Sequence, residues 1–391
     1  MQKNTDIEVL RALAVGVVIL HHAKGALISW SAPAALTTFF TYFRGGVGVD
    51  LFFVISGFVI ARGLLNNLRI AQDTGQVSGV LKAFWVRRMF RIFPLAWFWL
   101  AFILFATLVL NETGVFHSFR ANWEGTVAAV LQVANFRIEA CFAHFDCGAN
   151  FVYWSLSLEE QFYIALPLLA LLLRQYLTAF LLVCLAYKLW SVPLAHHFGF
   201  RVEGLLLGVL LAIWSDKPSY SVFEPRSLLH SPWAGFAAFM GLSILLVSIQ
   251  SPELRTVPVH MQSKVVALVA ALMVWLASYD RDYLMPFSWL KAGFLWAGSR
   301  SYALYLVHIP AFYLTRELWF RFTGSEVPQS SDLMFYFGTA FFFLVFFSEA
   351  SFRLIETPMR NKGIVISSRI LKNGAQVVPP GQARQGVTSS A

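Results

Sequence analysis

Charge is scarce in this chain. Asp, Glu, Lys and Arg make up 13% of its 391 residues, about half the ~25% usual for a soluble globular domain. That shortage excludes an ordinary soluble protein. Gly/Pro-rich linkers are missing as well, which leaves one main domain. Cysteine is rare, with three residues in all, too few for a disulfide scaffold. No Walker loop, dinucleotide glycine fingerprint, HExxH helix or paired-cysteine zinc spacing is present. Nothing therefore asks for a metal, and no motif supports a nucleic-acid partner.

What fills the chain is apolar. Hydrophobic residues make up 58% of it, in runs long enough to cross a bilayer as helices of roughly 20 residues. The runs lack the weak alternation of outer-membrane barrel strands. The expected fold is all-α: a polytopic helical membrane protein with about ten transmembrane helices. The candidate spans are 8–28, 46–64, 93–111, 153–173, 177–191, 201–215, 230–249, 262–279, 295–315 and 333–354. No small-residue cleavage site follows the first run, so it reads as a span and not a removed leader. Residues 1–362 form the expected membrane domain and 363–391 a disordered basic tail.

The net charge is +9, as expected of basic cytoplasmic loops facing anionic lipid. The segment 62–91 carries Arg62, Arg69, Lys82, Arg87, Arg88 and Arg91. The C-terminal end carries Arg353, Arg360, Lys362, Arg369, Lys372 and Arg384. The long loop 112–152 has only Arg120 and Arg137 against Glu112, Glu124, Glu139 and Asp146. With ten spans, both termini are expected to be cytoplasmic and that loop outside. The loop is too long for a plain connection and reads as an outer lid or a pair of short helices. Its Cys141 and Cys147 are placed to pair if it is extracytoplasmic. Cys184, inside an apolar run, reads as core.

The first run, Ile7–Ala26, carries Arg11 near one end and His21 and His22 further on. His22 follows Arg11 by eleven positions, close to three helical turns, which puts both on one face about 16 Å apart. Intramembrane ionisable groups usually face a bundle interior or a cavity. Arg11 would be a fixed cation near the surface and His22 a base deeper in. The plain alternative is a snorkelling arginine and a hydrogen-bonded histidine.

Other polar groups recur in apolar runs. Asp50 and Ser56 lie in Gly45–Arg62, where Gly45, Gly46, Gly48 and Gly57 permit close helix approach or a broken helix. Arg88 and Arg91 share a helical face and suit a ligand with several phosphates, or simply mark the cytoplasmic side. Pro94 reads as a helix boundary. Glu159 and Glu160 are adjacent, so only one faces a given cavity; Arg201 is a candidate structural partner. Arg201 and Glu203 read as an interfacial ion pair. Tyr302, Tyr305 and His308 recur at three-residue steps and line one face, with His308 in the outer half.

Taken in order, LRALAVGVVILHH, GGVGVDLFFVISGF, RRMFRIFP, YWSLSLEEQFY, FRVEGLLLG, SYALYLVH and IETPMR resemble the acyltransferase type 3 family of membrane enzymes. The resemblance covers nearly all but the tail. It implies transfer of an acyl group, most often acetyl, from cytoplasmic acyl-CoA to a hydroxyl of a carbohydrate or lipid-linked glycan, at a bacterial inner membrane. The acyl-CoA would be a co-substrate, with no permanently bound cofactor. The family's basic residue and histidine look like Arg11 and His22, its arginine pair resembles Arg88 and Arg91, and its Trp-Ser-Leu segment with a glutamate is similar to Trp154, Ser155 and Glu159. In the resulting scheme Arg11, Arg88 and Arg91 hold the donor phosphates, and His22 is the general base or carries a transient acyl group. Glu159 or Asp50 orients His22. Ser155, Tyr302 or Tyr305 donates to the oxyanion, and His308 and Arg201 position substrate. The rival reading is a proton-coupled transporter or flippase of a glycan precursor.

Overall fold

The structure is a computed structural model. It describes residues 4–30, 34–142, 144–191, 200–251 and 258–376. The described residues fold as helices: α1 Thr5–His22, α2 Ala34–Tyr42, α3 Gly48–Asp73, α4 Val77–Val109, α5 Phe119–Val130, α6 Ala134–Cys141, α7 Tyr153–Leu173, α8 Leu177–Trp190, α9 Glu203–Ser215, α10 Pro218–Val222, α11 Pro232–Ser248, α12 Val259–Ser278, α13 Ser288–Ser299, α14 Ser301–Thr323, α15 Leu333–Ser351 and α16 Thr357–Gln376. The fold is all-α, as expected.

Most expected spans fall on one helix, but 295–315 is divided between α13 and α14 at Arg300, and the count of about ten is not established. Among the described residues, five helical stretches are long and apolar enough to cross a membrane: 45–73, 77–109, 153–190, 261–278 and 333–373. The bent pair 218–228 and 233–248 is a sixth if taken as one span. The α1 helix misses this criterion because it carries Asp6, Glu8 and Arg11.

Three expected boundaries move. The α1 helix stops at His22, and the chain leaves through a wide turn over Ala23–Leu27 in which Gly25 has φ +95; a side chain there would be strained. The α4 helix does not begin at Pro94. It runs through that proline from Val77, since neighbouring helices can satisfy the backbone a proline frees inside a bundle. Residues 363–376, expected in the disordered tail, are helical in α16. They are held by packing on α4: a Cβ on Gly363 would lie 2.7 Å from the Phe90 Cβ. Positions 377–391 of that tail lie outside the described residues.

Glycines bring the central helices together. A Cβ on Gly48 would sit 2.5 Å from the Ala14 carbonyl of α1, and one on Gly57 2.3 Å from the Leu205 carbonyl of α9. The α3 helix is unbroken there, so Gly48 and Gly57 serve close approach. One apolar cluster joins α1, α3, α9 and α12 through Leu10, Leu51, Val54, Val209 and Val274. A second joins α4, α7, α14 and α15 through Leu95, Trp99, Leu158, Leu304 and Leu344. The polar groups of the next section lie between them.

The long loop 112–152 is the expected pair of short helices, α5 and α6. Buried Asn122 ties it down, donating to the Thr107 hydroxyl at 2.8 Å and accepting from Ala149 N–H at 2.7 Å. Cys141 and Cys147 form a disulfide.

Candidate active site

A cleft opens among α1, α3, α4, α7 and α14. Arg11, Arg88 and Arg91 line it together with Glu159, Ser155, Tyr302 and Tyr305. With Ser56 of α3, eight of the residues singled out in the sequence thus converge, from five helices. Phe52, Phe53, Ile55 and Leu156 supply apolar wall. The cleft thus combines three guanidinium groups with apolar side chains, a lining suited to a ligand with an anionic head and a slender, mostly apolar arm.

Two of the three arginines are held in particular ways. Arg11 donates to Glu8 at 2.7 Å, one turn earlier on α1. Arg88 lies over the Tyr163 ring at 5.1 Å and the Phe84 ring at 5.9 Å, contacts that fix a guanidinium without consuming its donors. Tyr163 was missed in the sequence, although it stands one turn after Glu159. Its hydroxyl donates to Glu159 at 2.7 Å and accepts from Ser56 at 2.7 Å. Glu159 is therefore tied to Tyr163, not to His22. Glu160 faces away from the cleft, and its Oε1 has no hydrogen-bond partner among the described residues.

The second carboxylate expected beside His22 is engaged elsewhere. Asp50 forms an ion pair with Arg201, which joins the start of α3 to the segment entering α9. Arg201 is thus taken by Asp50, and neither residue lines the cleft. Glu203 pairs with Lys188 at 3.4 Å and not with Arg201. These are structural ties across helices, which spacing along one helix cannot reveal.

The hydroxyls proposed for the oxyanion are also occupied. Tyr302 donates to the Ile92 carbonyl at 2.7 Å. Tyr305 donates to the Val152 carbonyl at 2.9 Å and meets the Ser155 hydroxyl at 2.8 Å. With its own proton on a carbonyl, Tyr305 accepts from Ser155. In this state the three side chains brace α4, α7 and α14.

His22 lies at the end of α1, where Nδ1 meets His308 Nε2 at 3.0 Å. His308 is fully buried on α14, and its Nδ1 is 2.6 Å from the Tyr305 carbonyl. Neither histidine lines the cleft, but Tyr305 does. The histidine pair therefore sits behind one wall of the arginine-lined cleft. His21 packs toward Gly46, with its Nε2 3.6 Å from where a Cβ would stand.

The 112–152 loop carries its own polar clamp. Asp146 accepts from His117 Nδ1 at 2.8 Å, Gly148 N–H at 2.9 Å and Ser118. Burial pushes the Asp146 carboxyl up, but the Gly148 N–H, His117 and Ser118 outweigh it and hold the group below its usual range.

Residues 4–348 match the acyltransferase domain family, and the chain belongs to it. It is 27% identical to the peptidoglycan O-acetyltransferase OatA of Listeria monocytogenes, over 92% of this chain and 56% of that protein. It is 29% identical to a putative O-acetyltransferase of Staphylococcus aureus, over 93% of this chain and 58% of the other. The O-acetyltransferase OatA of Staphylococcus aureus is 27% identical, over 94% and 59%. The chain thus spans a little over half the length of the curated relatives it matches. No solved structure matches it.

Proposed function

We propose that this member of the acyltransferase family is a multi-pass membrane O-acetyltransferase, which moves an acetyl group from cytoplasmic acetyl-CoA to a hydroxyl of a surface carbohydrate or lipid-linked glycan. The observation that carries the reading is the cleft itself: Arg11, Arg88 and Arg91 converge on one cavity whose lining also includes the apolar Val49, Phe52, Phe53, Ile55 and Leu156. Guanidinium groups match phosphate geometry, and the slender pantetheine arm fits the apolar lining. The names of the relatives, peptidoglycan O-acetyltransferase among them, support the carbohydrate acceptor. The membrane is the bacterial inner membrane, with both termini cytoplasmic.

In the reaction, the three arginines hold the donor's phosphates. The thioester reaches the end of the cleft near Tyr305 and Ser155. His22 takes the proton of the acceptor hydroxyl as that oxygen attacks the thioester carbonyl. The C–S bond breaks, the thiolate leaves as coenzyme A after taking a proton, and the acetyl ester remains on the acceptor. His22 stands about 16 Å inward from Arg11 along α1, which favours an acceptor presented from the bilayer or its outer side.

The test is to incubate the protein, reconstituted in vesicles, with radiolabelled acetyl-CoA and a membrane glycan extract. Label should appear in the glycan as an alkali-labile ester and be lost in His22→Ala. Movement of glycan across the vesicle membrane without consumption of thioester would overturn the reading in favour of a carrier.

A further inference from the structure

His308, expected from the sequence to position substrate, does not line the cleft and takes no part in the proposed reaction. Its two ring nitrogens are both engaged, and each partner restricts where a proton sits. The Tyr305 carbonyl can only accept, so His308 Nδ1 carries hydrogen and donates to it at 2.6 Å. His308 is 0% exposed, and its ring neighbours include Tyr305 and Phe312. A second proton would bury a cation among those rings at high cost. His308 Nε2 is therefore a bare acceptor. His22 Nδ1 faces it at 3.0 Å, and two bare nitrogens would repel, so His22 Nδ1 carries hydrogen and donates. In neutral His22 this leaves Nε2 with a free lone pair.

From this chain of contacts we propose that His308 is a positioning residue, which selects the Nδ1–H tautomer of His22 and so presents His22 Nε2 as the base. The inference rests on the reading of His22 as the general base. As His22 takes up the acceptor's proton at Nε2, its Nδ1–H bond to His308 strengthens because the donor has become charged. No proton passes to His308, whose own proton stays on Nδ1 against the Tyr305 carbonyl. Tyr305 joins the two halves of the site. Its side chain lines the donor cleft, while its carbonyl anchors the histidine pair. The arrangement needs no carboxylate behind His22, consistent with the engagement of Asp50 by Arg201 and of Glu159 by Tyr163.

The test compares wild type with His308→Leu, His308→Gln and His22→Ala, and measures acetyl transfer and coenzyme A binding for each. Leucine removes the acceptor and should lower kcat by about 10²–10⁴-fold, the range seen when a base is left in the wrong tautomer. The KM for acetyl-CoA should stay within about threefold of wild type, because the arginine-lined cleft is untouched. Glutamine keeps an acceptor near the Nε2 position and should recover at least about tenfold of the loss. Equal kcat in wild type and His308→Leu, with His22→Ala inactive, would overturn the role of His308 alone. Activity retained in His22→Ala would instead overturn the base assignment. If His308→Leu does not fold, histidine-selective nitrogen NMR on the wild type decides. Hydrogen on His22 Nδ1 is expected, and hydrogen on Nε2 would overturn the proposal.

Discussion

At Tyr163 one hydroxyl serves Glu159 and Ser56 while the ring lies under Arg88. The consequence is that Glu159 takes its hydrogen bond from a neutral donor and not from one of the arginines that line the cleft. Tyr163→Phe should free the carboxylate to pair with them and weaken coenzyme A binding by roughly tenfold, a cost near one charged hydrogen bond. Unchanged affinity by titration calorimetry would contradict this. Arg88→Ala should do more, raising the dissociation constant by about 10–150-fold for the loss of about 1.5–3 kcal/mol. Residue positions were legible in the sequence where one helix decides them. Eleven positions place Arg11 and His22 on one face, and three place Arg88 beside Arg91. Partners were not legible. His22 finds His308 across 286 positions, and Asp50 finds Arg201 across 151, through packing that no local pattern encodes.

Among the elements, α3 is the most constrained, because its glycines let α1 and α9 approach backbone to backbone. Gly57→Val would drive a side chain against the Leu205 carbonyl, already 2.3 Å from an added Cβ. The expected cost is about 1–3 kcal/mol, read as a lower melting temperature in detergent; an unchanged transition would contradict the packing. The glycine-rich stretch admitted both close packing and a broken helix, and only neighbours on other helices decide between them. A pH-dependent prediction follows from the 112–152 loop. The Asp146 carboxyl is depressed in the fold, so the clamp is fully present above its unfolded value of about 3.9 and is lost as pH falls through the folded value. Hydrogen exchange across α5 and α6 should therefore quicken below about pH 4 in wild type. Asp146→Asn should show faster exchange already at neutral pH and lose that acid dependence. The disulfide beside this clamp stayed open in the sequence, because the pairing of two cysteines in one polar loop depends on which side of the membrane the loop faces.

For the whole molecule, the sequence carried the fold class and the membrane setting, because composition and apolar run length express them directly. It carried helix ends less well. The α4 helix passes through Pro94, and α16 continues to Gln376 because Gly363 packs on Phe90. At 33 residues, α4 is about 50 Å long, against a hydrocarbon core of about 30 Å. In the proposed orientation its basic first turns extend past the bilayer, alongside α16. A cysteine placed at Asp73 should react with an impermeant thiol reagent only from the cytoplasmic side, and one placed at Glu139 only from outside. The reverse pattern would invert the proposed orientation and put the arginine-lined cleft out of reach of a cytoplasmic donor.

The central claim is that an arginine-lined cleft delivers a thioester to His22. It is tested most directly by following thiol release from acetyl-CoA with the purified protein and a glycan acceptor, in wild type and His22→Ala. The account predicts acceptor-stimulated release in wild type. In His22→Ala, release should fall to background while coenzyme A binding stays within about threefold of wild type. Equal release from both proteins, or release with no acyl group found on the acceptor, would contradict it.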